Sequence, residues 1–431
     1  MTHPTLDALR RGDLAGAREL RLSGLGLRSL PPEVLGLAES LEVLDLGGNA
    51  LTDLPADIAR LHRLKILFLS GNPMPRLPPA LGGLPALSQL GARGCGIEEV
   101  PAEALPPALR WLTLTGNAIA AMPDALGQCP ALQKLMLAGN HLSALPQSLE
   151  GAGSLELVRL SANRFEALPP WLATLPRLAW IAWAGNPLDP PAPAPEAPDI
   201  PWSALEPGEA LGQGASGHVL RATWRAGQGP LPVALKLFKG AMTSDGLPER
   251  EMEACLRAGA HPSLPGALGQ LSGHPQGLQG LVMPLLPDSW RALAGPPSPE
   301  SCSRDDYDPA LRLSPEAALR LARATGAAAA HLHARGLLHG DLYAHNTLWD
   351  GTRGDAVLSD FGAASRLPPG EAAAPWQRVE VRAWGILLGE LLDRCPPLSA
   401  DSALRALERR CTAPDSLSRP LMPEALRALP D

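Results

Sequence analysis

The chain has 431 residues, 45% of them apolar and 19% charged, with a formal net charge of −7. That length accommodates two or three domains with their own cores, and the apolar fraction excludes a wholly disordered polymer. The acidic balance and the scatter of the 37 basic residues leave no basic patch of the kind that nucleic acid requires.

The opening Met1–Asp7 lacks the basic and then apolar pattern of a signal peptide. No run of roughly 18 apolar residues offers a membrane span. The six cysteines form no CxxC pair and no Cys/His cluster, which points to reduced thiols and no structural metal. A cytoplasmic protein with no membrane attachment is expected.

The first half is periodic. Units begin at Ala17, Leu41, Leu64, Leu87, Leu109, Leu132, Leu155 and Leu178, in steps of 22 to 24 residues. The unit at Leu132 reads LxxLxLxxNxLxxLP. Its asparagine recurs as Asn49, Asn72, Asn117, Asn140, Asn163 and Asn186, with Cys95 substituting once. Its proline recurs as Pro31, Pro55, Pro78, Pro101, Pro123, Pro146 and Pro169. LxxLxL gives a short strand with inward leucines, the asparagine satisfies backbone groups where the chain bends away, and the LPxxL part returns along the outer side. One unit cannot bury its leucines alone, whereas a stack shares one core, each buried leucine contributing roughly 1.5–3 kcal/mol. By motif as well as period this resembles the leucine-rich repeat. The reading is an α/β solenoid of about eight units over residues 17–190, preceded by a helical cap over 1–16.

Strand positions other than leucine face the concave side. Phe68, Trp111, Met136 and Trp180 stand there, and large apolar groups left in water mark a docking surface for a protein partner. The alternative is that they pack on one another or on a second domain. A proline-rich connector follows, assigned to residues 191–204. Its composition is that of a stiff, extended spacer.

Residues 205–431 carry the chemistry. Gly212, Gly214 and Gly217 form GxGxxG, a weak signal alone. A dinucleotide site would continue into a helix. Here an alternating stretch from Val219 to Trp224, a Gly/Pro turn and Val233–Phe238 follow, so strand, glycine turn, strand, turn, strand makes a hairpin lid whose backbone N–H groups can approach phosphates. Lys236 lies in Val-Ala-Leu-Lys, one of only four lysines in the chain. After a capped helix start at Ser314-Pro315-Glu316 come His339-Gly340-Asp341-Leu342-Tyr343-Ala344-His345-Asn346 and then Ser359-Asp360-Phe361-Gly362.

These motifs, in this order, resemble the glycine-rich loop, β3 lysine, catalytic loop and DFG of protein kinases. The arrangement as a whole is similar to bacterial leucine-rich-repeat protein kinases. The resemblance implies a bilobal α+β domain with a shortened C-lobe. It implies ATP and Mg2+, with Gly212, Gly214, Gly217, Val219 and Lys236 on the nucleotide. Asp341 would take the proton of the attacking hydroxyl, and Asn346 and Asp360 would hold metal. The partner of Lys236 would be a glutamate on the following helix, Glu251 fitting best beside Glu249 and Glu253. His331, His333 and His339 suggest a metal only superficially, because residues two apart on a helix point in different directions.

Several positions depart from the resemblance. Gly340 stands where many kinases have an arginine that reads a phosphorylated activation segment, which suggests a site that does not wait for that phosphorylation. Tyr343 replaces a lysine usual in Ser/Thr kinases, Glu380 replaces an aspartate, no Ala-Pro-Glu motif follows Asp360, and Arg419-Pro420 lacks its usual glutamate. The expected activity is ATP-dependent phosphotransfer, foremost by a Ser/Thr protein kinase that also phosphorylates itself. Two alternatives stand beside it: a nucleotide-binding scaffold with little turnover, and a small-molecule kinase, since His-Gly-Asp-Leu…Asn also resembles aminoglycoside- and choline-kinase-like enzymes.

Overall fold

Proline and asparagine punctuate the repeats at fixed places, and the backbone follows them. The computed structural model describes residues 3–189, 197–214, 216–227, 229–239, 242–243 and 245–430. By contacts the chain divides into two units, one comprising 1–175 with 186–188 and the other 176–185 with 189–431.

The first unit opens with helix α1 (Pro4–Arg11), which ends where Gly12 adopts φ 79°. The left-handed cap stops the helix several residues before the end of the expected cap segment. Three-residue strands follow, one per repeat: β1 (Glu19–Arg21), β2 (Val43–Asp45), β3 (Ile66–Phe68), β4 (Gln89–Gly91), β5 (Trp111–Thr113), β6 (Lys134–Met136) and β7 (Leu157–Arg159). They pair in parallel, with Leu44, Leu67, Leu90, Leu112 and Leu135 in register. Each recurring proline immediately precedes a short 3-10 turn on the return path, as Pro146 does before Gln147–Gly151. Its fixed φ suits that entry, and it has no N–H to leave unsatisfied.

The asparagines form a ladder. Asn140 Nδ2 donates to Leu114 O and Leu137 O at 2.9 and 3.0 Å, while its Oδ1 accepts from Ile119 N at 3.1 Å. Asn72, Asn117 and Asn163 repeat this pattern. Cys95 reproduces half of it: its Sγ donates to Leu69 O at 3.4 Å. It has no side-chain acceptor for Met74 N, which turns to the backbone Cys95 O at 3.0 Å.

The second unit begins with β8 (Trp180–Ala182) and β9 (Asp199–Pro201). Of the expected connector, residues 191–196 lie outside the described residues. Asp199–Pro201 are not spacer: β9 is the edge strand of a six-stranded sheet. The other strands are β10 (Leu205–Gln213), β11 (Gly217–Ala226), β12 (Gly229–Phe238), β13 (Gly269–Ser272) and β14 (Gly280–Pro284), in the order β10-β11-β12-β14-β13-β9. Ile200, Leu205, Ala222, Val233, Leu235 and Val282 are its core. Helix α2 (Pro248–Ala258) intervenes between β12 and β13.

The helical part contains β15 (Arg291–Ala292), α3 (Pro315–Ala334), β16 (Leu337–Leu338), β17 (Thr347–Trp349), β18 (Ala356–Leu358), β19 (Ser365–Arg366), α4 (Ala374–Asp393), α5 (Ser402–Cys411) and α6 (Met422–Arg427). Ser314 Oγ caps α3 by accepting from Ala317 N at 3.1 Å. Helices α3 and α4 are joined by Trp384 Nε1, which donates to Ala322 O at 2.9 Å. The four helices α3 to α6 make a short helical lobe.

Candidate active site

Two antiparallel hairpins, β10–β11 and β11–β12, put the glycine turn and Lys236 on one side of the sheet, with Val219 opposite Lys236 in register. Gly217 is required by packing: a Cβ there would lie 2.2 Å from Leu237 O. Gly212 and Gly214 differ, for a Cβ at either would meet no atom of the described residues beyond its chain neighbours within 4 Å. Both line a cavity of about 500 Å³, together with Ser216, Lys236, Glu251 and Asp360. Its apolar wall is built by Val219, Ala234, Leu281, Met283 and Leu348. The volume and the mixture of an apolar slot with converging charges suit a nucleotide.

Among the three glutamates of α2, it is Glu251 that pairs with Lys236 Nζ. Glu253 instead pairs with Arg250 at 2.7 Å and Arg257 at 3.3 Å. Burial lifts the Glu251 carboxyl above its ordinary range against the pull of Lys236. Cys255, one turn further along α2, also lines the cavity, and burial pushes its thiol up to about 12, which leaves it protonated and inert.

The loop between β16 and β17 holds the second group. Asn346 Nδ2 donates to Asp341 O at 2.9 Å and to its carboxylate Oδ2 at 2.8 Å. With both amide hydrogens turned to Asp341, Asn346 presents its Oδ1 as an acceptor. Asp360 has φ 64°, a backbone state seldom adopted by a residue with a side chain, and Gly362 N donates to its Oδ1 at 3.0 Å. The amide oxygen of Asn346 and the carboxylate of Asp360 are hard donors of the kind magnesium takes, with its other positions left to water or phosphate. Among the described residues no cluster of three or more His, Cys, Asp or Glu side chains is arranged to hold a metal by itself.

The histidines tie these parts together. His339 Nε2 meets Ser359 O at 3.1 Å, and its Nδ1 accepts from Asp341 N at 3.3 Å. His333 Nε2 meets Glu380 Oε2 at 2.8 Å, and Glu380 Oε1 accepts from Gly340 N at 2.7 Å. Burial raises the Glu380 carboxyl, but the His333 hydrogen bond and charge outweigh it and hold the group below its ordinary value. His331 meets Ala258 O at 2.8 Å.

Sequence reasoning passed over Asp305. Its side chain is fully buried, and it holds the loop from behind: His345 N donates to Oδ2 at 3.0 Å and His345 Nδ1 lies 2.6 Å from Oδ1. Burial lowers the His345 imidazole, but the bond to Asp305 prevails and raises it. Met283 and Leu348 were also missed, because an apolar residue lining a slot has the same sequence signature as one in a core. Trp180 corrects an expectation. It is 1% exposed, so it is no open anchor for a partner; its ring stacks on Tyr343, as a flat aromatic does when a second one is within reach. Met136 is buried as well, whereas Phe68 is 40% exposed.

Comparison with known proteins finds matches to both parts of the chain. Residues 16–74, 39–97 and 107–165 match the leucine rich repeat family, and residues 205–382 match the family described as protein tyrosine and serine/threonine kinase. The chain is similar to vasorin of Mus musculus, 35% identical over 123 residues, and to podocan of Mus musculus, 37% identical over 121 residues. Each match takes in 27% of this chain and 18% or 19% of the relative, so the chain spans less than a fifth of the curated relatives it matches. No helix among the described residues is long and apolar enough to cross a membrane. Leucine-rich repeats and a domain that matches the protein kinase family thus follow one another along the chain.

Proposed function

We propose that the chain is an ATP-dependent protein kinase directed at serine or threonine hydroxyls, its own among them, and that its repeats bind a protein partner or substrate. The observation that carries this reading is the Lys236–Glu251 pair and Asp360 on the cavity, with Asp341 and Asn346 joined to each other in the neighbouring loop. In this reading the hydroxyl oxygen bonds to the γ-phosphorus as its proton passes to Asp341. The bond from that phosphorus to the bridging oxygen breaks, and ADP leaves with the electron pair. Lys236, fixed by Glu251, sets its charge against the α and β phosphates. Gly212, Gly214, Gly217 and Val219 cover the nucleotide. Asn346 and Asp360 hold Mg2+, which when bound neutralises phosphate charge. All six cysteines are buried and none forms a disulfide, which favours a reducing, cytoplasmic setting.

The test is intact mass after incubation with Mg·ATP, with Asp341→Ala in parallel. Added phosphate on the wild type alone is expected, and phosphoserine or phosphothreonine on peptide mapping fixes the specificity. A second reading, a nucleotide-binding scaffold with little turnover, is favoured by Tyr343. It stands where the resemblance places a phosphate-side lysine and is 5% exposed. Tight binding of an ATP analogue with no phosphate gained by the wild type would select that reading.

A further inference from the structure

The segment Pro176–Gly185 and Asp189 precede the kinase-matched residues 205–382, yet they belong to the same unit. They touch the catalytic loop, the strand after Asp360-Phe361-Gly362 and helix α2. Trp180 stacks on Tyr343 with ring centroids 4.2 Å apart and planes 7° from parallel, and its Nε1 donates to Leu342 O at 3.0 Å. Leu342 and Tyr343 directly follow Asp341. Trp183 N donates to Ser365 Oγ at 2.9 Å, and Trp183 Nε1 donates to Arg366 O at 3.2 Å. That strand, β19, lies just beyond Asp360-Phe361-Gly362. Asp189 pairs with Arg366, and its backbone O accepts from Arg250 Nη2 at 3.1 Å on α2, the helix of Glu251. Arg382 Nε of α4 donates to Arg177 O at 3.1 Å, and Arg419 Nη2 donates to Pro176 O at 2.9 Å. Even Gly340 is shaped by this segment. A Cβ there would lie 2.5 Å from Ile181 O.

The contacts are not incidental surface packing. Trp180 and Trp183 are each 1% exposed, and the Asp189 side chain is 3% exposed. Both indole N–H groups are spent on main-chain oxygens of the loop and strand whose positions matter most. An element that ties the catalytic loop, β19, α2 and α4 to one buried segment fixes their mutual placement, which is what catalysis by positioning requires.

We propose that Trp180 and Asp189 are positioning residues for phosphate transfer: the end of the repeat region holds the catalytic loop and β19 in working register, acting through Tyr343, Leu342 and Arg366. This rests on the kinase reading. Nucleotide binding depends mainly on the six-stranded sheet, and none of the contacts above involves a strand of that sheet. Loss of the clamp therefore acts on turnover before it acts on affinity.

The test uses the full chain as Trp180→Ala, Trp180→Phe, Asp189→Asn and Asp189→Glu, with kcat, KM for ATP and hydrogen–deuterium exchange measured for each. Expected are at least a tenfold fall in kcat for Trp180→Ala and Asp189→Asn, KM for ATP within about threefold, and at least tenfold faster exchange over 342–346 and 365–366. Trp180→Phe keeps the flat stack and is expected to recover most of kcat, as Asp189→Glu does by keeping the charge. Where Trp180→Ala fails to fold, the Phe and Asn variants decide by the same readings. Exchange and kcat both within twofold of the wild type in Trp180→Ala and Asp189→Asn would overturn the proposal, as would losses that the Phe and Glu variants do not reduce. A wild type that transfers no phosphate would strike the kinase reading instead, and exchange over those two stretches would still decide whether the clamp orders them.

Discussion

Glu251 and Lys236 form an ion pair at the inner side of the cavity, with 5% and 14% of their side chains exposed. Removing one partner strands the other charge in a poorly solvated place, which costs about 3–5 kcal/mol, whereas removing both is often nearly neutral. Lys236→Met is therefore expected to lower the thermal unfolding midpoint clearly. Adding Glu251→Leu to it is expected to restore most of that midpoint while phosphate transfer stays absent. Equal midpoints for the single and double variants would show that the pair is not what the fold depends on there.

Two glutamates ten residues apart on α4 titrate in opposite directions. Burial, with the charge of Asp305 adding to it, raises Glu390 from 4.5 to about 7, while Tyr307 donates its hydroxyl to it at 2.9 Å. Between those values the folded chain holds a proton that the unfolded chain has lost, so Glu390 makes stability fall as pH rises. Each tenfold difference in proton affinity is worth ~1.4 kcal/mol, which puts the loss on the order of 3 kcal/mol. Glu380 is held low, so its contribution is present above the unfolded value and is lost as pH falls through the folded one. Unfolding midpoints recorded from pH 5 to 8 should show Glu390→Gln gaining on the wild type as pH increases. Parallel curves would remove Glu390 from the account.

Gly340 has φ 74°, and a Cβ on it would lie 2.5 Å from Ile181 O and 2.7 Å from Ala363 O. Even alanine must displace backbone on both sides, and the left-handed conformation adds roughly 1–2 kcal/mol. Gly340→Arg, which installs the residue that the kinase resemblance leads one to expect, should cost stability and activity together and confer no dependence on phosphorylation. Treatment of the wild type with a phosphatase should leave its initial rate unchanged. A stable and active Gly340→Arg variant would contradict the crowding seen here.

The solenoid and the kinase motifs were legible because their signals are local. A period of 22 to 24 residues survives any change of packing, and the Gly-rich stretch, Val-Ala-Leu-Lys, His-Gly-Asp and Asp-Phe-Gly each lie within a few positions. What the sequence hides is pairing across distance. Trp180 occupies a strand position like Trp111, and nothing near it announces that its indole N–H reaches Leu342, 162 residues away. Asp305 belongs to no motif, yet it holds both the backbone and the ring of His345. The proline-rich connector concealed β9 for the opposite reason: Asp199-Ile200-Pro201 has spacer composition, but a single buried Ile200 at a sheet edge is enough to order it, since an edge strand tolerates proline.

The three glycines of the turn separate ligand binding from folding. A Cβ at Gly217 would lie 2.2 Å from Leu237 O, so Gly217→Ala must push β11 away from β12 and is expected to lower the unfolding midpoint without any nucleotide present. A Cβ at Gly212 or Gly214 meets no atom of the described residues beyond its chain neighbours within 4 Å, so alanine there is expected to cost the fold almost nothing and to intrude on what occupies the cavity. Gly212→Ala and Gly214→Ala are therefore expected to keep the wild-type midpoint while the KM for ATP rises about tenfold, a loss of ~1.4 kcal/mol in binding. Midpoints and KM values for the three variants read the two effects independently. If Gly212→Ala and Gly214→Ala bind an ATP analogue as tightly as the wild type, the open space above those glycines does not receive phosphate, and the nucleotide must enter the cavity in another orientation.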